Sequence, residues 1–365
     1  MLETTQNIYT NKEELKFQGM MCQEGFSSSI LCCQQRILIK ELAELWFFDI
    51  KNIIRPSSYA VYQNYASKYI LPYIGNIQVD MFNADMLSSL LGNFCTGNNG
   101  KEEKLSQYTI YLLESMVRSM FHYGAEKKLV QKVPFGKAKF ITIKKKQVVP
   151  LSELEIQQLL YVTEKQGKDI QLQISIPLYT GVTLSELCGL KWEDINLETG
   201  EIHIHRNLVR IQHSLPDGRT GTGKTATALV ECELPENMCR KFIMPERLGN
   251  LLKTEAFDRK PQKGSYVAEL DKKAGRKKSI DMPSDAPDGR TLQYRLKVAG
   301  EKAGLKGLTF KTLRDTFAVL CLQASRDVYS LAYVMGAGIP AVCDRYGQWM
   351  VRNDSFLKGI VNGLY

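Results

Sequence analysis

One single-signed stretch divides this chain. From Lys127 to Lys146 there are eight lysines and no acid: Lys127, Lys128, Lys132, Lys137, Lys139, Lys144, Lys145 and Lys146. It reads as a connector, and a run of one charge joining two units repels itself unless a polyanion lies against it. Its bland reading is a solvated charged face. Apolar residues fall at helical spacing on both sides, so the 365 residues divide into two folding units plus linkers.

Residues 1–36 are mixed polar with weak periodicity and read as a flexible N-terminal arm. From residue 37 to 126 the pattern predicts a small helical domain. Leu38, Leu42, Leu45 and Trp46 share one helix face. Pro56 reads as a helix breaker, with a serine after it as the next N-cap. Tyr62, Tyr65, Ala66 and Tyr69 continue a second helix, and Pro72 to Gly75 ends it. Further helices are predicted over about 83–94 and from about Ser106, where Ile110, Leu113, Val117 and Met120 align. The basic linker spans 127–149.

Ser152 and Glu155 form a capping-box pattern that opens the second unit, 150–365. Residues 195–204 alternate around a glycine turn and predict a hairpin, with a third strand over about 229–234. The stretch 245–290 is polar and lysine-rich and reads as a loop-rich insertion. Helices are expected over about 292–303, 311–324 and 327–336, with a last one carrying Tyr346. The fold class is thus mainly α with a small antiparallel β-sheet, an α+β chain.

Bulk properties narrow the function classes. The net charge of +9 permits a polyanion partner without requiring one. Nine cysteines, an odd number with no C-x-x-C pair, suit reduced thiols and a cytoplasmic location, not a disulfide scaffold. No apolar run reaches about 18 residues, so no membrane span is expected, and the N-terminus lacks a secretory pattern. None of the four histidines lies after His213, which removes imidazole chemistry from the C-terminal third. No metal site or cofactor is expected.

Two separated stretches carry the candidate chemistry. Thr180 to Ile195 reads T-G-x-x-x-S-E-L-x-G-L-x-W-x-D-I. Its bland reading is an amphipathic helix with Leu184, Leu187, Cys188 and Lys191 on one face. The second stretch, Lys311-Thr312-Leu313-Arg314-Asp315-Thr316-Phe317, reads alone as a helix with a surface arginine. It is followed by Met335-Gly336-Ala337 and by Tyr346, which alone would be half-buried packing.

Taken in this order and register, these stretches resemble the tyrosine recombinase (phage integrase) family over about residues 38–350. The N-terminal helices are similar to that family's SAM-like core-binding domain, with a P-S-x-Y and an L-P-x-I-G pattern. The resemblance makes Arg314 a phosphate-clamping arginine, a role that the planar guanidinium fork suits. It makes Glu186 the neighbouring acid, Lys311 a phosphate donor in place of a histidine, Lys224 the proton donor to the leaving 5′-oxygen, and Tyr346 the nucleophile. It also marks departures. Thr183 stands where the family has a second arginine, Ala337 where it has a histidine, and Asp315 where a histidine follows the arginine.

Lys224 has a rival reading. Gly218 to Thr225 satisfies the P-loop pattern G-x-x-x-x-G-K-[ST]. A P-loop must leave a buried strand and open a helix. Here a polar, proline-containing segment precedes it and strand-like alternation follows. The hairpin lysine is the preferred reading, and an ATP-binding P-loop protein ranks below it.

The resemblance implies a C-shaped clamp around double-stranded DNA, with the lysines of the linker along the backbone. The tyrosine attacks a phosphodiester and leaves a 3′-phosphotyrosyl bond, so the strand is cut and rejoined without metal or ATP. The implied protein is a site-specific recombinase or integrase of a mobile element. It would act as a multimer on paired sites, with a companion recombinase as a further partner. Each missing phosphate donor typically lowers the rate by about 10²–10³. The alternative is a non-cleaving DNA-binding regulator or architectural partner derived from a recombinase.

Overall fold

The computed structural model describes residues 37–97, 104–136, 141, 147–213, 226–269, 286–325 and 327–350. The N-terminal arm, Lys137, Lys139, Lys144, Lys145, Lys146 and the whole of the 218–225 motif, Lys224 included, lie outside them.

The first unit is all helical. Helix α1 (Ile39–Ile50) buries Ile39, Leu42, Ala43 and Trp46. Helix α2 (Pro56–Tyr65) begins with Pro56 at its first turn and Arg55 as N-cap. Pro56 therefore starts this helix, and no serine caps it. Proline fits there because that N–H has no intrahelical partner in any case. The chain then widens into a π turn over Ala66–Ile70 before α3 (Leu71–Ile74). Pro72 explains the widening: it lacks the N–H that would bond the Lys68 carbonyl, and its ring crowds that carbonyl. Helix α4 (Ala84–Thr96) is capped by Asn83, whose side chain accepts from Met86 N at 3.0 Å. Helix α5 (Gln107–Glu126) is capped by Ser106. Leu42, Trp46, Ile70, Phe94, Leu113 and Phe121 belong to the shared core.

In the second unit, α6 (Glu153–Gln166) starts with the expected capping box. Ser152 N donates to Glu155 Oε2 at 2.8 Å, and Glu155 N donates to Ser152 Oγ at 3.4 Å. Helix α7 (Lys168–Thr180) was not legible as a helix. Leu172, Gln173, Ile174, Ser175, Ile176, Pro177 and Leu178 are buried in unbroken succession, so no amphipathic period exists. It is the central helix, packed against by α6, by α9 (Glu246–Arg259), by α10 (Gly289–Lys302) and by α11 (Phe310–Ser325). Helix α8 (Leu184–Gly189) is shorter than its periodicity suggests. Leu190 is extended, and Lys191 forms an isolated bridge to Tyr266 instead of a further helical turn.

The strands form two small antiparallel sheets. Strands β1 (Ile195–Asn196) and β2 (Glu201–Ile204) make the expected hairpin, with Ile195 opposite Ile202 and Gly200 at φ +75° in the turn. Strand β5 (Arg240–Ile243) completes that sheet on the far side of β2. The strand expected near 229–234 is β4 (Ala226–Glu233), which pairs only with β3 (Arg206–His213). The stretch read as loop-rich from 245 contains α9, which buries Leu248, Leu252 and Glu255 at helical spacing. Its charged outer face masked the short apolar stripe. Helices α12 (Val328–Met335) and α13 (Ile339–Tyr346) pack on α11 over a further cluster containing Val319, Leu322, Leu331, Met335 and Val342. Among the described residues no helix is long and apolar enough to cross a membrane.

Candidate functional site

Helix α7 ends at Gly181 and α12 ends at Gly336, both in the left-handed conformation, at φ +67° and +58°. A helix C-terminus leaves carbonyls without intrahelical donors and carries partial negative charge. Arg314, on the first turns of α11, sits between the two ends. One Nη donates to Gly181 O, and the other donates to Met335 O at 2.8 Å. Burial lowers the Arg314 pKa from its ordinary value, and the charges of Glu186, Tyr346 and Asp315 oppose that shift. Two backbone carbonyls thus engage both terminal nitrogens of the guanidinium and fix its plane, and Arg314 is also one of the residues that line a cavity.

That cavity has a volume of about 860 Å³. One wall carries Arg314, Lys311, Thr183 and Ser185, and the opposite wall is α2, through Ser57 and Asn64. It therefore lies between the two units, where α2 rests against β3 and Arg55 Nη2 reaches Met238 Sδ at 3.2 Å. Lys311 is exposed and free to reach into it.

Thr183 is the N-cap of α8. Its backbone N donates to Glu186 Oε2 at 2.8 Å and its hydroxyl at 2.9 Å. Glu186 is buried and carries a second partner that the sequence did not suggest. Arg240, from β5, donates to Glu186 Oε1 at 2.8 Å and Oε2 at 3.1 Å, with Nε on Val334 O at 2.6 Å. Burial pushes the Glu186 pKa up, but the Arg240 bond and charge outweigh it, and the net shift is downward. Arg240 is only 2% exposed and does not line the cavity. A guanidinium thus stands beside the acid of the degenerate Thr183 position, but behind the site and with its donors committed to protein. No pattern in Cys239-Arg240-Lys241 marks it, because its role depends on a sheet pairing and a helix end far away in sequence.

Tyr346, the last residue of α13, is 3% exposed. Its hydroxyl donates to Asp315 Oδ1 at 2.6 Å. Asp315 also takes Arg345, at 3.0 Å and 2.5 Å. Asp315 follows Arg314 on one helix, so the partner of Tyr346 is the chain neighbour of the arginine that lines the cavity. Tyr346 is not itself among the residues lining the cavity. Ala337, at the other degenerate position, closes the α12 cap by donating from its backbone N to Ala332 O at 3.0 Å.

The structure thus brings together Arg314, Lys311, Thr183, Glu186 and, through Asp315, Tyr346. Of the linker lysines, Lys127 pairs with Asp49 at 3.0 Å, Lys128 adopts φ +61°, and Lys132 is exposed. Among the described residues no cluster of histidine, cysteine and carboxylate could hold a metal ion.

Residues 38–83 match the phage integrase N-terminal SAM-like domain, and residues 150–282 match the phage integrase family. The chain is 24% identical to the defective protein IntQ of Escherichia coli K12, over 90% of this chain and 84% of the relative. It is also 24% identical to the prophage integrase IntR of the same strain, over 71% of this chain and 61% of IntR. In three dimensions it is similar to the Tn1549 transposon integrase solved in complex with a circular intermediate DNA, with a TM-score of 0.65 and 17% identity, covering 90% of this chain and all of that one. It is similar also to a lambda integrase dimer bound to a COC′ core site, with a TM-score of 0.58 and 13% identity, covering 93% of this chain and 88% of that one. The chain belongs to the phage integrase family, the tyrosine recombinases.

Proposed function

We propose that this protein binds double-stranded DNA in the cleft between its two units as an integrase of a mobile element, and that Arg314 takes the scissile phosphate. The observation that carries this reading is the guanidinium fixed between two helix ends at the lining of an inter-unit cavity. A fixed fork is suited to a phosphate because it loses little freedom on binding. Lys311 adds a cation on the same wall, and the linker lysines extend the field along a backbone. The circular-intermediate DNA of the Tn1549 integrase and the core site of lambda integrase are the kind of ligand this reading implies.

Tyr346 supplies the nucleophile in this reading. The protein makes a 3′-phosphotyrosyl bond slowly, because the Thr183 hydroxyl is engaged with Glu186 and the Ala337 side chain is a methyl, so neither replaces the expected phosphate donor. Two absent donors correspond to about 10⁴ or more in rate if independent. A second reading, a non-cleaving DNA-binding protein, draws on the burial of Tyr346 away from the cavity.

A nicked suicide duplex built from DNA flanking the encoding gene separates the two. The expected result is a slowly accumulating covalent adduct, absent in Tyr346→Phe, alongside retained binding. Binding with no adduct after prolonged incubation would establish the non-cleaving reading. Absence of binding, or binding unaffected by Arg314→Ala, would overturn the proposal.

A further inference from the structure

The phenol of Tyr346 is tied to a carboxylate, and Tyr346 is not among the residues that line Arg314's cavity. Its hydroxyl gives its proton to Asp315 Oδ1 at 2.6 Å. Arg345 Nε reaches the same carboxylate oxygen at 3.0 Å and the phenol oxygen at 3.3 Å, while its Nη2 holds the other carboxylate oxygen at 2.5 Å. Tyr346 and Asp315 are 3% and 7% exposed, so water does not compete for these bonds. Successive residues on a helix point about 100° apart. Helix α11 therefore aims Arg314 at the cavity and Asp315 at α13.

We infer that Asp315 is a positioning residue that, with Arg345, latches Tyr346 as a neutral hydrogen-bond donor outside the cavity, so that reaction at Tyr346 requires release of this latch. The inference rests on Tyr346 being the nucleophile of the proposed function. An acid at position 315 acts differently from the histidine that the family resemblance leads one to expect. A carboxylate only accepts, so it engages the phenol proton and the Arg345 guanidinium at once. A phenolate beside it would be repelled. Burial first, and then this carboxylate, raises the Tyr346 phenol to about 12. Arg345 compensates the carboxylate charge and makes the knot self-sufficient without DNA.

The test uses the full chain in the absence of DNA. Tyrosines are acetylated with N-acetylimidazole and quantified by peptide mass spectrometry, with Tyr329, which is 74% exposed, as internal reference. Tyr346 is expected to react at least about tenfold more slowly than Tyr329, as a group that must open before it is reached. Asp315→Ala should raise the Tyr346 rate about tenfold and leave Tyr329 unchanged. Should that variant fail to fold, Asp315→Asn keeps the shape and removes the charge, and it should lower the pH midpoint of Tyr346 labelling. A purely packing role would not move that midpoint.

Equal labelling of Tyr346 and Tyr329 in the unaltered chain would overturn the latch. So would folded Asp315 variants with unchanged protection and unchanged midpoint. Adduct formation on nicked DNA is scored separately. A latch variant that frees Tyr346 yet forms no adduct supports the latch and counts against cleavage, whereas adduct formation with an unprotected Tyr346 does the reverse.

Discussion

The buried pair Glu186–Arg240 is the most consequential contact at the residue scale. Both side chains are almost fully enclosed, and each satisfies the other. Removing one partner of such a pair leaves an uncompensated charge, an effect of about 3–5 kcal/mol. Arg240→Ala is therefore expected to destabilise the fold by that amount, read from the denaturant midpoint. The same pair sets a pH dependence. The folded Glu186 pKa lies below its ordinary value of 4.5, so its contribution is present above that pH and is lost as pH falls through the lowered folded value. Tyr346 works in the opposite sense. Its phenol is raised from 10.0 to about 12, so its contribution is full below about pH 10 and disappears toward 12. Thermal melts from pH 3 to 12 should show losses in both windows, and Tyr346→Phe should reduce the alkaline one, to which Tyr59, Tyr123 and Tyr179 also contribute. Thr183→Arg with Ala337→His should speed adduct formation on a suicide substrate by about tenfold or more, while forfeiting the Thr183 cap at about 1 kcal/mol.

Among the elements, the ends of helices matter more than their middles. Gly181 must be glycine twice over, for φ +67° and because a Cβ there would lie 2.4 Å from Phe317 Cδ1. Gly181→Ala is expected to lower stability by about 1–3 kcal/mol through strain and overpacking, measured by thermal melting. It should also disturb the carbonyl that Arg314 uses and weaken DNA binding. Much of this scale was legible in the sequence. Asn83, Ser106 and Ser152 each announce a helix start, and each caps one. Helix α7 was hidden because burial on every face erases periodicity, and α9 because charge on its outer face outweighs three buried positions. Strand β5 is too short to alternate visibly. At the site, motif register pointed to Arg314, which lines the cavity, and to Tyr346, which is buried outside that lining. Arg240 was not legible, since only the pairing of β5 with β2 delivers it to Glu186.

For the whole molecule, the decisive arrangement is a cleft with α2 on one side and the α8–α11 wall on the other. Binding there should depend steeply on ionic strength. Every phosphate that a lysine no longer neutralises makes the slope of log affinity against log salt shallower by about 0.9. Replacing Lys132, Lys137 and Lys139 together by alanine is expected to reduce that slope by up to about 3 and to weaken all sequences alike, measured by fluorescence anisotropy between low and physiological salt. An unchanged slope would remove the linker from the DNA-binding surface. The capture of Arg314 by the ends of α7 and α12 carries a broader implication. The group proposed to hold a nucleic-acid backbone also staples the protein's own backbone at that junction. Grip and stiffness are consequently one property: any shear between those helices slackens the anion cradle, and an anion seated there resists the shear. If Arg314 holds the phosphate as proposed, a change that relaxes the scaffold at this junction also relaxes the hold on the ligand.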